Sequence, residues 1–521
     1  MGIRAELEKL LILRFGVEGV RLEEPQSEEF GHYTTNLPFR LAKTQKREPE
    51  RIAEDIIYFL EGHPDVEKCD AVRGFVNIWL RDEALFRIVG ELIGDPAKYT
   101  SSDIGGDRKI LYEFVSANPT GPLNVVSARA ASIGDCLVRV AKRCGFRAES
   151  EFYANDAGGQ IEALGESVAW RLGERDEAPP DGYLGEYLVP VAQELKGRGV
   201  SEKDYGAEAA GLFLSRNMET LARFRVWFDH VVRESEIRGS GYGDELLRLL
   251  AGKTEKKDGA LFLTAGAIGD EKDRVLVRKN GEPTYLFWDM AYHLHKNARG
   301  YDEMVNLLGP DHQTEAPTLV AGLGLVGVRN IRVKIIQQVH LVRGGQKVKM
   351  SKRKGDFYSM DELMDEVGVD AARFFLLMRS SSQPLEFDLD LAKTLASENP
   401  VYYVQYLHAR CCSLEDFGKE QGIAPEPQKL GLLSEPDEKS LLRKLLYLPD
   451  VVEGTCRAEE PHMIPHYLLS LAGLFHGYYQ RHRIITDDPD LSGARLALAA
   501  AVKAGIREGL SMMGVSAPER M

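Results

Sequence analysis

Residues 109–153 hold the pattern that leaves this chain the fewest choices of fold. Lys109-Ile110-Leu111-Tyr112-Glu113-Phe114-Val115 is a mostly apolar, β-prone run, as in a parallel strand buried on both faces. The turn Asn118-Pro119-Thr120-Gly121-Pro122 stops it. A helix over about 127–144 follows, with Ile133, Leu137 and Val140 on one face, and 148–153 reads as a second strand. Strand, crossover helix and strand make a βαβ unit, the building block of a parallel sheet. The alternation resumes with strands at 274–278, 305–308 and 331–339 and a helix after Asp289. The helix-rich, charged stretch between, about 160–270, reads as an insertion.

The two ends of the chain follow other patterns. Residues 1 to about 95 mix helices (5–15, 35–44 and 49–60) with a strand at 75–80 behind Gly74, as in a small α+β domain. Gly105-Gly106-Asp107 marks a boundary. From about 396 the pattern is all helical, with Val502, Ile506, Leu510 and Met513 in one stripe. The expected architecture is an α/β Rossmann-like domain with an insertion (106–395), preceded by a small α+β domain (1–100) and followed by an all-α helical bundle (396–521). At 521 residues the chain is too long for one core.

Composition narrows the function classes. No run of eighteen apolar residues offers a membrane span. The start of the chain has no apolar signal core, and Glu6 stands where a myristoylation signal carries Ser or Thr. The six cysteines form no CxxC pair and no Cys/His cluster of zinc spacing, so no protein-bound zinc is expected. A net charge of −14 argues against a protein that coats nucleic acid nonspecifically, while leaving room for a local basic surface.

Three constellations carry chemistry. The first is Gly344-Gly345-Gln346-Lys347-Val348-Lys349-Met350-Ser351-Lys352-Arg353-Lys354-Gly355, a cationic run bracketed by glycines and suited to a polyphosphate whose charge redistributes. On charge alone it reads as a solvated basic loop. The second is 113–123, where a strand, a Pro/Gly turn and a helix place backbone N–H groups at an anion site; by itself it reads equally as a structural connection. The third is Tyr285-Leu286-Phe287-Trp288-Asp289. A Tyr and an Asp four apart share a helix face and suit a guanidinium, although an aromatic core stripe with a capping Asp has the same pattern. His293 and His295 stand two apart, on different helix faces, and read as satisfied or exposed histidines rather than a metal pair. Asn155-Asp156-Ala157-Gly158-Gly159-Gln160, after the second strand, reads as a cleft rim or an ordinary turn.

Lys349-Met350-Ser351-Lys352 resembles the KMSK signature of class I aminoacyl-tRNA synthetases. With Glu113 to Leu123 it closely resembles the arginyl-tRNA synthetase family, in which the same turn leads into the HIGH signature, His-x-Gly-His. Here the matching residues are Asn124-Val125-Val126-Ser127, without either histidine or the glycine. Asn399 to Arg410 resembles the opening of the family's anticodon-binding helical domain, the last eight residues resemble its usual terminus, and Gly31 to Asn36 resembles its N-terminal tRNA-binding module. The resemblance covers nearly the whole chain and is weakest over 160–270.

The resemblance implies an ATP-dependent arginine–tRNA ligase, with arginine, ATP and tRNA(Arg) as partners and Mg²⁺ accompanying ATP. It implies catalytic roles for Lys349, Ser351 and Lys352, and ATP contacts from Gly121, Asn124, Ser127, Lys349, Met350 and Lys352. Arginine contacts are implied for Glu113, Ser116, Asn118, Tyr285, Asp289, His312 and Gln313. Asp311 belongs to the same polar cluster. No resident metal is expected. A cytoplasmic monomer without membrane attachment is expected. The changed residues at 124–127 keep one alternative open, an impaired relative that binds tRNA without charging it. In the helical domain Tyr402, Tyr403, Tyr406, Tyr478 and Tyr479 offer faces for unpaired bases, or pack between helices.

Overall fold

The computed structural model describes residues 2–348 and 358–521. The N-terminal part folds around an antiparallel sheet of β1 (Tyr33–Thr35), β2 (Val66–Val72) and β3 (Phe75–Leu80) in the order β1-β3-β2. The helix expected at 35–44 starts at Leu37, because Thr34 and Thr35 pair with Asn77 and Val76 of β3. The Pro49–Leu60 helix begins with proline, whose missing N–H costs nothing in the first turn, and buries Ile52, Ala53, Ile56 and Leu60.

The central sheet uses β4 (Lys109–Glu113), β5 (Arg147–Ala154), β6 (His230–Arg233), β10 (Glu303–Leu308) and β11 (Ile331–Ile335), all parallel, in the order β11-β10-β4-β5-β6. Successive strands are laid to one side of β4 and then to the other, so the order reverses between β4 and β10. The Val125–Arg143 helix is the first crossover. Ala128 and Ala131 are buried beneath it, and a Cβ on Gly134 would stand 2.1 Å from the Phe114 ring, so only glycine lets the helix approach this closely.

Three expectations change. The stretch 160–270 is not one uninterrupted insertion: helices Gly159–Arg171, Leu188–Gly197 and Tyr205–Arg223 share a core of their own, and the chain then returns to the sheet as β6. Residues 274–277 form β9 of an antiparallel meander, β7 (Thr254–Lys257), β8 (Ala260–Leu263) and β9 (Arg274–Val277), rather than a strand of the parallel sheet. An apolar strand pattern fixes burial but not the partner strand. The run 331–339 is two strands. β11 ends at Ile335, and β12 (Val339–Arg343) joins β13 (Gln346–Lys347) and β14 (Leu385–Asp388) in a separate sheet. Buried Arg129 fixes the break by donating to the carbonyls of Gln337, Gln338, Ser380 and Gln383.

The C-terminal part is helical, and Val502, Ile506, Leu510 and Met513 are all buried in or at the end of its last helix, Pro489–Met512. It packs on both other parts: Arg143 pairs with Glu508 at 2.5 Å, and Tyr99 Oη donates to Leu445 O at 3.0 Å. Among the described residues no helix is long and apolar enough to cross a membrane.

Candidate active site

A cleft in an open parallel sheet lies outside the C-terminal strand ends where the strand order reverses. Here that point lies between β4 and β10, whose last paired residues are Glu113 and Asn306. Just beyond Glu113 the backbone bends through Val115 (φ 69°) and Ser116 (φ 38°). Left-handed conformations cost an ordinary residue about 1–3 kcal/mol and a β-branched one more, and such strain collects at functional sites. Hydrogen bonds hold the bend: Ser116 Oγ donates to Glu113 Oε1 at 2.9 Å and accepts from Tyr153 N at 3.2 Å.

The Tyr285–Ala298 helix lies against this point. Phe287, Met290, Ala291 and Leu294 anchor it in a core shared with Leu111 and Met304. Tyr285, at its first position, is 50% exposed, and Asp289 follows one turn later. Burial, followed by the charges of Glu113, Glu234 and Glu315, pushes the Asp289 carboxyl up to about 7, with Lys296 opposing. Among the described residues that carboxylate carries no hydrogen bond or ion pair. It is a carboxylate held within reach of the charges of three others.

Behind it runs a buried polar relay. Lys296 Nζ donates to Glu113 Oε2 at 2.6 Å and to Asn306 Oδ1 at 2.8 Å. Asn306 Nδ2 meets His293 Nε2 at 2.8 Å, and His293 Nδ1 meets Asp289 O at 2.6 Å. With Lys296 on Oδ1, the Asn306 amide donates to His293, whose Nε2 accepts while Nδ1–H donates to the carbonyl. That neutral tautomer agrees with burial and Lys296 pushing His293 down to about 4. Burial alone would raise Glu113, but the Lys296 ammonium foremost, with the Ser116 hydrogen bond, outweighs it and holds the carboxyl below its ordinary value.

On the far side, Tyr153 stacks on Tyr292 at 4.1 Å and donates to Glu234 Oε2 at 3.3 Å. Burial raises Glu234, and Arg238 pairs with it in opposition. Asn118 Nδ2 donates to Gln160 Oε1 at 2.5 Å. Asp156 accepts from the backbone N–H and the hydroxyl of Ser235, both at 2.9 Å, tying 155–160 to the start of the Glu234–Gly239 helix. His312 and Gln313 follow β10 in an exposed turn. Its neighbour Glu315 is the residue whose charge reaches Asp289.

At the Val125–Arg143 helix, Asn124 is the N-cap. Its Oδ1 accepts from Val126 N at 2.9 Å and Ser127 N at 3.1 Å, so two of the leading N–H groups are already engaged. Gly121 lies under the Tyr187 ring, 3.0 Å from where a Cβ would stand. Asn124 also bridges Ser359, and Met360 N donates to Leu123 O at 2.8 Å. The chain re-entering at 358–360 is thereby pinned to the residues before the helix. Lys349, Met350, Ser351 and Lys352 lie outside the described residues.

His293 and His295, which the sequence reads as satisfied or exposed, divide: His293 is satisfied by Asp289 O and Asn306, while His295 is half-buried with its Nδ1 unpartnered among the described residues. Lys296, Asn306, Glu234 and Glu315 were missed. Two of them had left a trace: Asn306 is the polar residue in the apolar run Met304-Val305-Asn306-Leu307-Leu308, and Lys296 follows Asp289 by seven positions, on the same helix face. In the helical part Tyr478 is buried, donating to Glu438 at 3.0 Å, while Tyr402 and Tyr406 stack at 5.9 Å and Arg410 lies over Tyr406 and Tyr479.

Comparison with known proteins gives the same outline. Residues 2–80 match the family model for the arginyl tRNA synthetase N terminal domain, and 404–521 match that for the DALR anticodon binding domain. An arginine–tRNA ligase of Desulfosudis oleivorans is 40% identical, over 99% of this chain and 98% of its own. One from Syntrophotalea carbinolica is 40% identical over 96% and 95%. Among solved structures, the arginyl-tRNA synthetase of Thermus thermophilus superposes with a TM-score of 0.80 over the full length of both chains, at 22% identity.

Proposed function

The chain belongs to the arginine–tRNA ligase family, and from that premise we propose how its site performs the reaction. The enzyme activates arginine with ATP and transfers the arginyl group to tRNA. Arginine's carboxylate attacks the α-phosphate of ATP, giving arginyl-adenylate and pyrophosphate; the terminal ribose hydroxyl of tRNA(Arg) then takes the acyl group and releases AMP. Asp289 and Tyr285 read the guanidinium, the carboxylate by paired hydrogen bonds and the phenol by its face. Lysine lacks the planar fork that this geometry selects. Glu113, Ser116 and Asn118, at the end of β4, hold the amino end of arginine, and His312 and Gln313 close the rim.

Gly121, whose missing side chain makes room for the Tyr187 ring, meets the nucleotide through its backbone, and Asn124 and Ser127 hold it at the helix start. Lys349 and Lys352 neutralise charge that grows on the phosphates during attack, with Met350 and Ser351 placing them. Mg²⁺ enters with ATP as part of that substrate. The stack of Tyr402, Tyr406, Tyr479 and Arg410 meets unpaired tRNA bases. The enzyme works as a cytoplasmic monomer.

One observation carries this reading: a carboxylate beside three other acids, at the switch point of a parallel sheet, with no cation paired to it among the described residues. The test is charging itself. Purified protein, ATP, arginine and tRNA(Arg) should give acid-precipitable arginyl-tRNA, and Asp289→Ala should abolish it. Tight tRNA binding with no product from the parent protein would overturn the catalytic reading.

A further inference from the structure

Lys296 is fully buried, yet it belongs to none of the groups assigned a substrate contact. It sits two turns beyond Asp289, and its ammonium lies over the Tyr292 ring at 4.9 Å. Its hydrogen-bond acceptors, Glu113 and Asn306, are partners across the two strands that flank the switch point. We infer that Lys296 is a positioning residue of this site: its ammonium keeps Glu113 anionic and turned toward Ser116, and through Asn306 and His293 it fixes the helix turn that presents Asp289.

The charges facing Glu113 come from every element packed there. The helix supplies Lys296, His293, Asp289 and the Tyr292 phenol, and β5 supplies the Tyr153 phenol. His293 is neutral, so Lys296 is the cation among these groups. Without it, two carboxylates, buried Glu113 and half-buried Asp289, share one wall, and like charges so placed retain a proton. The site would then meet arginine with too little negative charge at neutral pH. Asn306 adds orientation. By accepting from Lys296 on one side and donating to His293 on the other, it is locked in one amide orientation, and the histidine is locked in one tautomer.

The inference rests on the reading of Glu113 as a group that holds arginine, and the experiment separates the two. Arginine-dependent charging by the full-length protein, with ATP and tRNA(Arg) saturating, is measured from pH 6 to 9 for the parent, Lys296→Met, Lys296→Arg and Glu113→Gln. Lys296→Met should lower kcat/KM for arginine at least 100-fold at pH 7 and move the acidic limb of the profile at least one pH unit upward. Lys296→Arg should restore the limb to within half a unit of the parent. A Lys296→Met protein that loses activity but keeps the parent's pH profile would overturn the inference, because a purely structural lysine lowers activity without moving a titration. If Lys296→Met does not fold, Lys296→Gln, which retains the Asn306 hydrogen bond without the charge, reads the same limb. A Glu113→Gln protein with the parent's KM for arginine would instead sink the assignment of Glu113, whatever Lys296 does.

Discussion

Asp289 combines two opposed demands in one side chain. The folded site holds its carboxyl up at about 7, through burial first and the neighbouring Glu113, Glu234 and Glu315 next. On the proposed reading a guanidinium binds the anion, so arginine would take up the ionised form. Below pH 7 that form is the minority in the empty site, and each further pH unit removes about tenfold of it. The KM for arginine should therefore rise about fivefold between pH 7 and pH 6 and approach about tenfold over the next unit, with less change above pH 8. Stability has the opposite sign. The unfolded chain releases this proton near the ordinary aspartate value and the folded chain near 7, so between those values the native state binds more protons and loses stability as pH rises. Asp289→Asn should stabilise the free protein at pH 8 by about 1–3 kcal/mol, seen as a higher Tm, while arginine binding is lost. An Asn variant that melts below the parent would mean that Asp289 has a structural partner of its own.

At the scale of elements, the Val125–Arg143 helix shows how this chain manages a helix start without the family's histidines. Asn124 accepts from two leading N–H groups, which stabilises the helix in the absence of any nucleotide. Asn124→Ala should cost about 0.5–2 kcal/mol by denaturant or thermal melting, and Asn124→Asp should retain most of the stability while weakening ATP binding by charge repulsion. A stable Asn124→Ala protein would show that the cap is dispensable. This helix and both flanking strands were legible in the sequence, because apolar periodicity and a Pro/Gly turn are local signals; the helix placed after Asp289 starts four residues earlier, at Tyr285, and so carries Asp289. The strand β6 was not legible. Its residues, His230 to Arg233, are half polar, and nothing local distinguishes an edge strand from a loop within a charged insertion. The relay stayed hidden for the same reason. Glu113, Lys296 and Asn306 come from three elements, and only the parallel register of β4 and β10 brings them together. Tyr285 and Asp289 lie on one helix and needed no tertiary contact to be paired.

At the scale of the whole molecule, the first helix ties the two outer parts of the chain to each other. Arg4, in the Ile3–Phe15 helix, pairs with Glu8 of the same helix at 3.0 Å and reaches across to Asp450 at 2.5 Å and Glu453 at 2.8 Å in the helical part. Tyr33 Oη adds a hydrogen bond to Asp450 at 3.0 Å, and Tyr447 Oη donates back to His32 O at 2.6 Å. One largely buried guanidinium thus serves three carboxylates, and its loss leaves an uncompensated cluster of negative charge at the seam. Breaking a buried pair from one side costs about 3–5 kcal/mol, whereas replacing both partners by apolar groups costs far less. Arg4→Met should therefore split the thermal transition, the N-terminal part melting first, and should expose its linker near residue 100 to limited proteolysis. Asp450→Leu added to Arg4→Met should recover part of the loss. The proposed cleft is built from other residues, so the KM for arginine should hold while the KM for tRNA rises, if the proposed grip on tRNA at both outer parts needs them in fixed relation. A rise in the KM for arginine alone would instead mean that the seam acts on the cleft, and the division of labour between the outer parts and the sheet would have to be redrawn.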